Sequence, residues 1–132
     1  MRSYWDSSAI VKALHSTESR ALLDEGEHWT RPHSLAETFS ALTGGTLGFK
    51  TDADDAAAAV ADISGQLQFV ELTAEDTLTA LHLARRKGVQ GGRVHDLLHV
   101  AAAEKCGAER ILTRDQNDFA SLTGIPLEKL QL

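Results

Sequence analysis

Five short apolar or β-branched runs punctuate the chain: residues 3–6, His28-Trp29-Thr30, Leu67 to Leu72, Ile111-Leu112-Thr113, and a weaker run that includes Leu127 and Leu130. Helix signals fill the gaps between them. Ser7-Ser8 start a helix through Leu14, and Thr17 to Asp24 forms a second, broken at Gly26. After Arg31-Pro32 a long helix is expected from Ser34 past Leu42. Thr51-Asp52-Ala53-Asp54 has capping-box spacing ahead of an Ala-rich helix that Gly65 ends, and Thr73 to Asp76 repeats the signal ahead of a helix that Gly88 ends. A further helix runs from about Arg93 to Cys106, and Asp115 to Leu122 is a short helix or turn. The order is β-α-α-β-α-α-β-α-α-β-α-β. Strands alternating with helices imply an α/β fold of three layers, α/β/α, around a central, mostly parallel sheet. There is no internal repeat, low-complexity tract or linker, and 132 residues fit a single domain, 1–132.

The totals exclude some functions. Aromatic residues are only 5% of the chain, so the core must be mostly Leu, Ala, Val and Ile. A formal net charge of −6 argues against an unassisted polyanion binder. The basic residues are uneven, however: Arg85, Arg86, Lys87 and Arg93 fall in one short segment. Cys106 is the only cysteine, which rules out an internal disulfide. The N-terminus lacks a signal-peptide pattern and no apolar run is long enough to span a bilayer, so a cytoplasmic location with no membrane partner is expected.

In an open parallel sheet, ligands bind beyond the carboxyl ends of the strands. Asp6 and Asp115 lie at such ends, while Glu37 and Asp96 open helical stretches. Each has a plain local role available. Asp6 can cap the helix at Ser7 or Ser8. Glu37 stands three residues after Ser34, at capping-box spacing. Asp96 suits the positive end of its own helix, and Asp115 can cap a helix or form an Asx turn. Together they suggest more. Four carboxylates brought to one place repel one another and need a cation, and hard Mg²⁺ or Mn²⁺ prefers oxygen ligands. Such a site suits phosphodiester chemistry. Taking those four charges out of −6 leaves −2, so the basic segment counts for more.

The contexts are Trp-Asp-Ser-Ser-Ala-Ile-Val-Lys, Ser-Leu-Ala-Glu-Thr-Phe-Ser-Ala-Leu, His-Asp-Leu-Leu-His-Val-Ala-Ala-Ala, and Ile-Leu-Thr-Arg-Asp-Gln-Asn-Asp-Phe. In that order, over nearly the whole chain, they resemble the PIN-domain family, and within it the small VapC-like toxins of type II toxin–antitoxin pairs. The resemblance implies a Mg²⁺- or Mn²⁺-dependent ribonuclease, hence a hydrolase, with Asp6, Glu37, Asp96 and Asp115 holding the metal. It further implies that Thr113 orients a carboxylate or water and that Asp118 is a secondary acid. Arg93 and Lys87 become candidate contacts to the RNA substrate. A homodimer and a cognate antitoxin that occludes the acidic site are the implied partners.

Other readings of the residues compete. His95-Asp96-Leu97-Leu98-His99 approximates a zinc helix, with two histidines at i, i+4. Its Asp is one methylene shorter than the usual Glu, and no clear third ligand follows on a neighbouring helix, though Glu104 and Glu109 are present. A receiver domain would pair acids after the first strand, and a haloacid-type phosphatase would show Asp-x-Asp; here Asp6 is followed by Ser7-Ser8. A catalytically weak PIN scaffold acting as a binding module, or a housekeeping PIN nuclease, is the alternative function. A pure scaffold has no reason to keep mutually repelling carboxylates.

Overall fold

The computed structural model describes residues 1–130. Along them run β1 (Arg2–Trp5), α1 (Ser7–His15), α2 (Thr17–Ala21), β2 (Glu27–Thr30), α3 (Pro32–Thr43), α4 (Ala53–Ser64), β3 (Gln68–Phe69), α5 (Ala74–Leu83), α6 (Val94–Lys105), β4 (Arg110–Thr113), α7 (Gln116–Ala120) and β5 (Leu127–Lys129). Single 3₁₀ turns follow α2 and precede α6. The five strands form one sheet in the order β3-β2-β1-β4-β5, and every pairing is parallel. No helix among the described residues is long and apolar enough to cross a membrane.

The pleat divides the core. Successive side chains of a strand point to opposite faces. Tyr4 and Ile111 join a cluster with Val100, Ala103, Phe119 and Leu122, beneath α6 and α7. Their neighbours Trp5 and Leu112 join Ile10, Ala13, Leu23 and Ile63, beneath α1 and α4. Burial on both faces explains why β1 and β4 read as continuous apolar runs rather than alternating ones.

Strand order reverses at β1: the chain builds outward through β2 and β3, then returns to place β4 on the other side. That reversal opens a crevice past the carboxyl ends of β1 and β4. Asp6 directly follows β1, and its N–H donates to the Leu112 carbonyl at 3.2 Å, holding the residue against β4.

Several boundaries differ from the sequence expectation. The long helix starts at Pro32 rather than Ser34, because proline's fixed φ and missing N–H suit a first helical position. Ser34 is therefore buried inside the first turn, and the Ser34–Glu37 capping box does not form. Asp52, not Thr51, caps α4 by accepting from the Asp54 N–H. The Thr73–Asp76 capping box does form. The expected strand Leu67 to Leu72 pairs only at Gln68–Phe69, because its neighbour β2 ends at Thr30, just before Pro32 starts α3. The helix expected over Thr17 to Asp24 tightens into a 3₁₀ turn from Leu22.

Candidate active site

Asp6 is 4% exposed. Its Oδ1 accepts from the Ala9 N–H at 2.8 Å and from Ser8 Oγ at 2.7 Å, and its Oδ2 accepts from Thr113 Oγ1 at 2.6 Å. The first bond makes it the N-cap of α1, so the plain structural role is real. The third ties β1 to β4 across the crevice. Thr113 Oγ1 also accepts from the Asp115 N–H at 3.0 Å, and Ser8 Oγ accepts from the Arg114 N–H at 3.0 Å. Two hydroxyls thus fix the turn after β4 onto Asp6. Burial pushes the Asp6 carboxyl up; His99, Thr113, Ser8 and the Ala9 amide oppose that without overcoming it.

Glu37 projects from the second turn of α3 toward His99 of α6. Its Oε1 lies 2.9 Å from His99 Nε2, a polar contact whose angle is poor for a hydrogen bond. His99 is 2% exposed, and its other nitrogen, Nδ1, lies 2.7 Å from the Tyr4 hydroxyl. Burial pushes the Tyr4 phenol well above its ordinary range, so it stays protonated. With Tyr4 donating to Nδ1, the tautomer that satisfies both contacts carries its proton on Nε2, facing Glu37. Burial alone would raise the Glu37 carboxyl, but the His99 contact, helped by Arg31 and His33, outweighs it and holds the group below its usual value.

Asp96 lies in the first turn of α6, one turn before His99. Its carboxyl is pushed up to about 6, first by burial and then by the charges of Asp118 and Asp6, with His99 and Arg93 opposing. Asp115 stands at the N-cap position of α7 without a side-chain cap bond, so its exposed carboxylate is not spent on capping.

The crevice therefore gathers Asp6, Asp96 and Glu37 around a buried histidine, with Asp118 close enough for Asp96 to feel its charge and Asp115 on the Thr113 side. The model of the PIN domain family matches residues 3–124. The chain belongs to the PIN domain family. Among solved structures, this PIN domain is similar to the VapBC2 complex of Rickettsia felis bound to a promoter DNA fragment, with 19% identity, a TM-score of 0.73, and 99% of this chain and 100% of that one covered. It is also similar to the Mycobacterium tuberculosis toxin VapC20, which cleaves the sarcin–ricin loop, at 22% identity, TM-score 0.67, and 90% and 94% coverage. VapBC-1 of nontypeable Haemophilus influenzae matches at 14% identity, TM-score 0.65, with 98% of each chain covered. No curated protein matches it in sequence.

The residues of this PIN domain suit the divalent cation implied by the family resemblance. Glu37 Oε1 contacts only His99 Nε2, at 2.9 Å, and burial and neighbouring charge dominate the surroundings of the Asp96 carboxyl. Both are oxygens whose lone pairs a hard cation would use. Among the described residues, no three of the acids bring ligand atoms within 4.8 Å of one another. The one group of three among the described residues with ligand atoms inside 4.8 Å of one another is His33, Glu37 and His95. Ionised carboxylates repel one another and approach closely around a cation or a shared proton.

The zinc-helix reading of His95 and His99 does not hold. Both nitrogens of His99 face protein partners, while His95 is exposed and stacks against His33. Of the basic residues, Lys87 Nζ donates to the Leu122 carbonyl at 2.8 Å and Arg93 Nη2 to the Asp118 carbonyl at 3.1 Å. Both brace the segment around α7. Arg114 and Lys129, which the sequence did not single out, share a cleft with Asp115. Arg31 was also missed: it is buried, and its Nε and Nη2 have no hydrogen-bond partner.

Asp96 supplies a stability test. Its carboxyl ionises from 3.8 in a solvated chain and at about 6 in the fold. Well below pH 3.8 both states are protonated and the group contributes nothing. As pH rises from about 4 to 6 the unfolded chain ionises first, so the metal-free fold loses stability and stays penalised above about pH 6. Partial exposure limits the loss to roughly 1–2 kcal/mol. Asp96→Asn is expected to raise the thermal midpoint in EDTA at pH 7.5 and leave it nearly unchanged at pH 3.5. Equal midpoints of wild type and variant at both pH values would contradict this electrostatic account.

Proposed function

We propose that this chain is a single-domain, Mg²⁺- or Mn²⁺-dependent ribonuclease that serves as the toxin of a type II toxin–antitoxin pair in the cytoplasm. The observation that carries the reading is the convergence of Asp6, Glu37 and Asp96 on His99 at the switch point of the sheet. Asp6, Glu37, Asp96 and Asp115 would hold the ion, with Asp118 as a secondary acid. A divalent ion there supplies Lewis acidity toward a water and the scissile phosphate.

The chain's own residues do the positioning. Thr113 and Ser8 hold both Asp6 oxygens in fixed directions. His99, set by Tyr4, keeps Glu37 ionised and aimed into the crevice. Arg114 and Lys129 flank Asp115 and offer phosphate contacts beside those proposed for Arg93 and Lys87. The solved VapBC complexes support a small antitoxin as partner, and we extend the reading to a homodimer.

Induced expression followed by mapping of new RNA 5′ ends tests the proposal. Wild type should arrest growth and create discrete new ends, Asp6→Asn should do neither, and a short reading frame just upstream should relieve the arrest when co-expressed. Harmless wild-type expression, with no new ends and no partner recovered, would favour the scaffold alternative.

A further inference from the structure

We propose that His33, Glu37 and His95 form a second metal site, selective for borderline ions of the Zn²⁺ class, and that filling it withdraws Glu37 from the nuclease centre and slows cleavage. The regulatory half rests on the nuclease reading above; the site itself does not.

His33 and Glu37 stand at i, i+4 on α3 and so share one face of that helix. His95 comes from the first turn of α6, across the cleft. One ligand atom from each of the three lies within 4.8 Å of the other two. The two imidazole rings are nearly parallel, with an interplanar angle of 16° and centroids 6.0 Å apart. Tetrahedral Zn²⁺ with bonds of about 2.0–2.1 Å needs ligand atoms roughly 3.3 Å apart. Closing the remaining gap takes small rotations of two exposed histidines.

The donor set points to the class of ion. Two neutral imidazoles and one carboxylate match zinc and its neighbours, whereas Mg²⁺ avoids nitrogen ligands. A fourth position faces the open cleft lined by Ser7, Ser40 and Thr46. Since Glu37 is common to both sets, the two ions compete for it, and each weakens the other's binding by the same factor.

Zn²⁺ affinity of the full chain, measured by competition with a chromophoric chelator, is expected to fall by at least about tenfold in His33→Ala and in His95→Ala. Co²⁺ should give visible bands of a nitrogen-ligated site that both variants lose. Thermal melts verify that these surface substitutions leave the fold intact. Unchanged affinity and spectra in both variants would overturn the site. In Mg²⁺-supported cleavage, Zn²⁺ should inhibit wild type at concentrations at least about tenfold lower than either variant, each compared with its own Mg²⁺-only rate. Equal inhibition of all three would overturn the regulatory half. If no RNA is cleaved under any condition while Zn²⁺ binding still follows the histidines, the nuclease reading and the regulatory half fall together and the metal site stands.

Discussion

Cleavage of RNA is expected to stop when EDTA removes divalent ions and to return with Mg²⁺ or Mn²⁺. The reason is electrostatic. Burial and the charges of Asp118 and Asp6 already push the Asp96 carboxyl up to about 6. A phosphodiester entering that crevice adds another anion. At about 5 Å and an effective dielectric near 20, each uncompensated carboxylate–phosphate pair costs about 3 kcal/mol. Two such pairs slow a reaction by more than about 10⁴-fold. The ion should also stabilise the fold, by about 2.7 kcal/mol when present at a hundred times its Kd. Both effects are read on one sample: initial cleavage rates and thermal midpoints along a Mg²⁺ titration after EDTA. Cleavage that persists in EDTA would remove the carboxylates from the chemistry. Cleavage that needs Zn²⁺ and survives Asp6→Asn would move it to the histidines.

The features legible in the sequence are those with a local signal. Tyr4-Trp5-Asp6 and Ile111-Leu112-Thr113 read as strands because both faces of β1 and β4 are buried, and the acids that follow them fall at the sheet's reversal as expected. Gly26, with φ of 86°, breaks the chain ahead of β2 as read, because that left-handed backbone suits glycine. Local signals also misled. Ser34 and Glu37 have capping-box spacing, yet Pro32 claims the helix start and releases Glu37 to meet His99. What stayed hidden is what only the fold brings together. Tyr4 and His99 are 95 positions apart, and no spacing rule links them. His33 pairs with His95 rather than His95 with His99, because α6 turns His99 into the core and leaves His95 on the surface. Arg31 looks like an ordinary surface arginine beside a proline, but the start of α3 buries it.

Asp6→Asn is expected to reduce cleavage by more than about a hundredfold, since losing even a residue that only orients a metal ligand costs about 10–100-fold. Its effect on the metal-free fold should be small, and it should differ from that of Asp96→Asn. Asn Oδ1 can still accept from the Ala9 N–H and Ser8 Oγ, so the cap of α1 survives. The new amide nitrogen faces Thr113 Oγ1, whose hydroxyl must turn from donor to acceptor. That exchange loses one charge-assisted bond, worth about 1.5–3 kcal/mol. Against it stands relief from burying a carboxylate whose ionisation burial opposes. The two effects have opposite sign and similar size, leaving a change within roughly 1 kcal/mol. Asp96 has no comparable bonds to lose, so its Asn variant keeps the whole gain. Asp6→Ala removes the cap as well and should cost about 1 kcal/mol more than Asp6→Asn. Single-turnover cleavage and denaturant melts in EDTA separate the roles. An Asp6→Asn protein that cleaves within a few-fold of wild type, or unfolds by several kcal/mol, would make Asp6 a structural cap and nothing more.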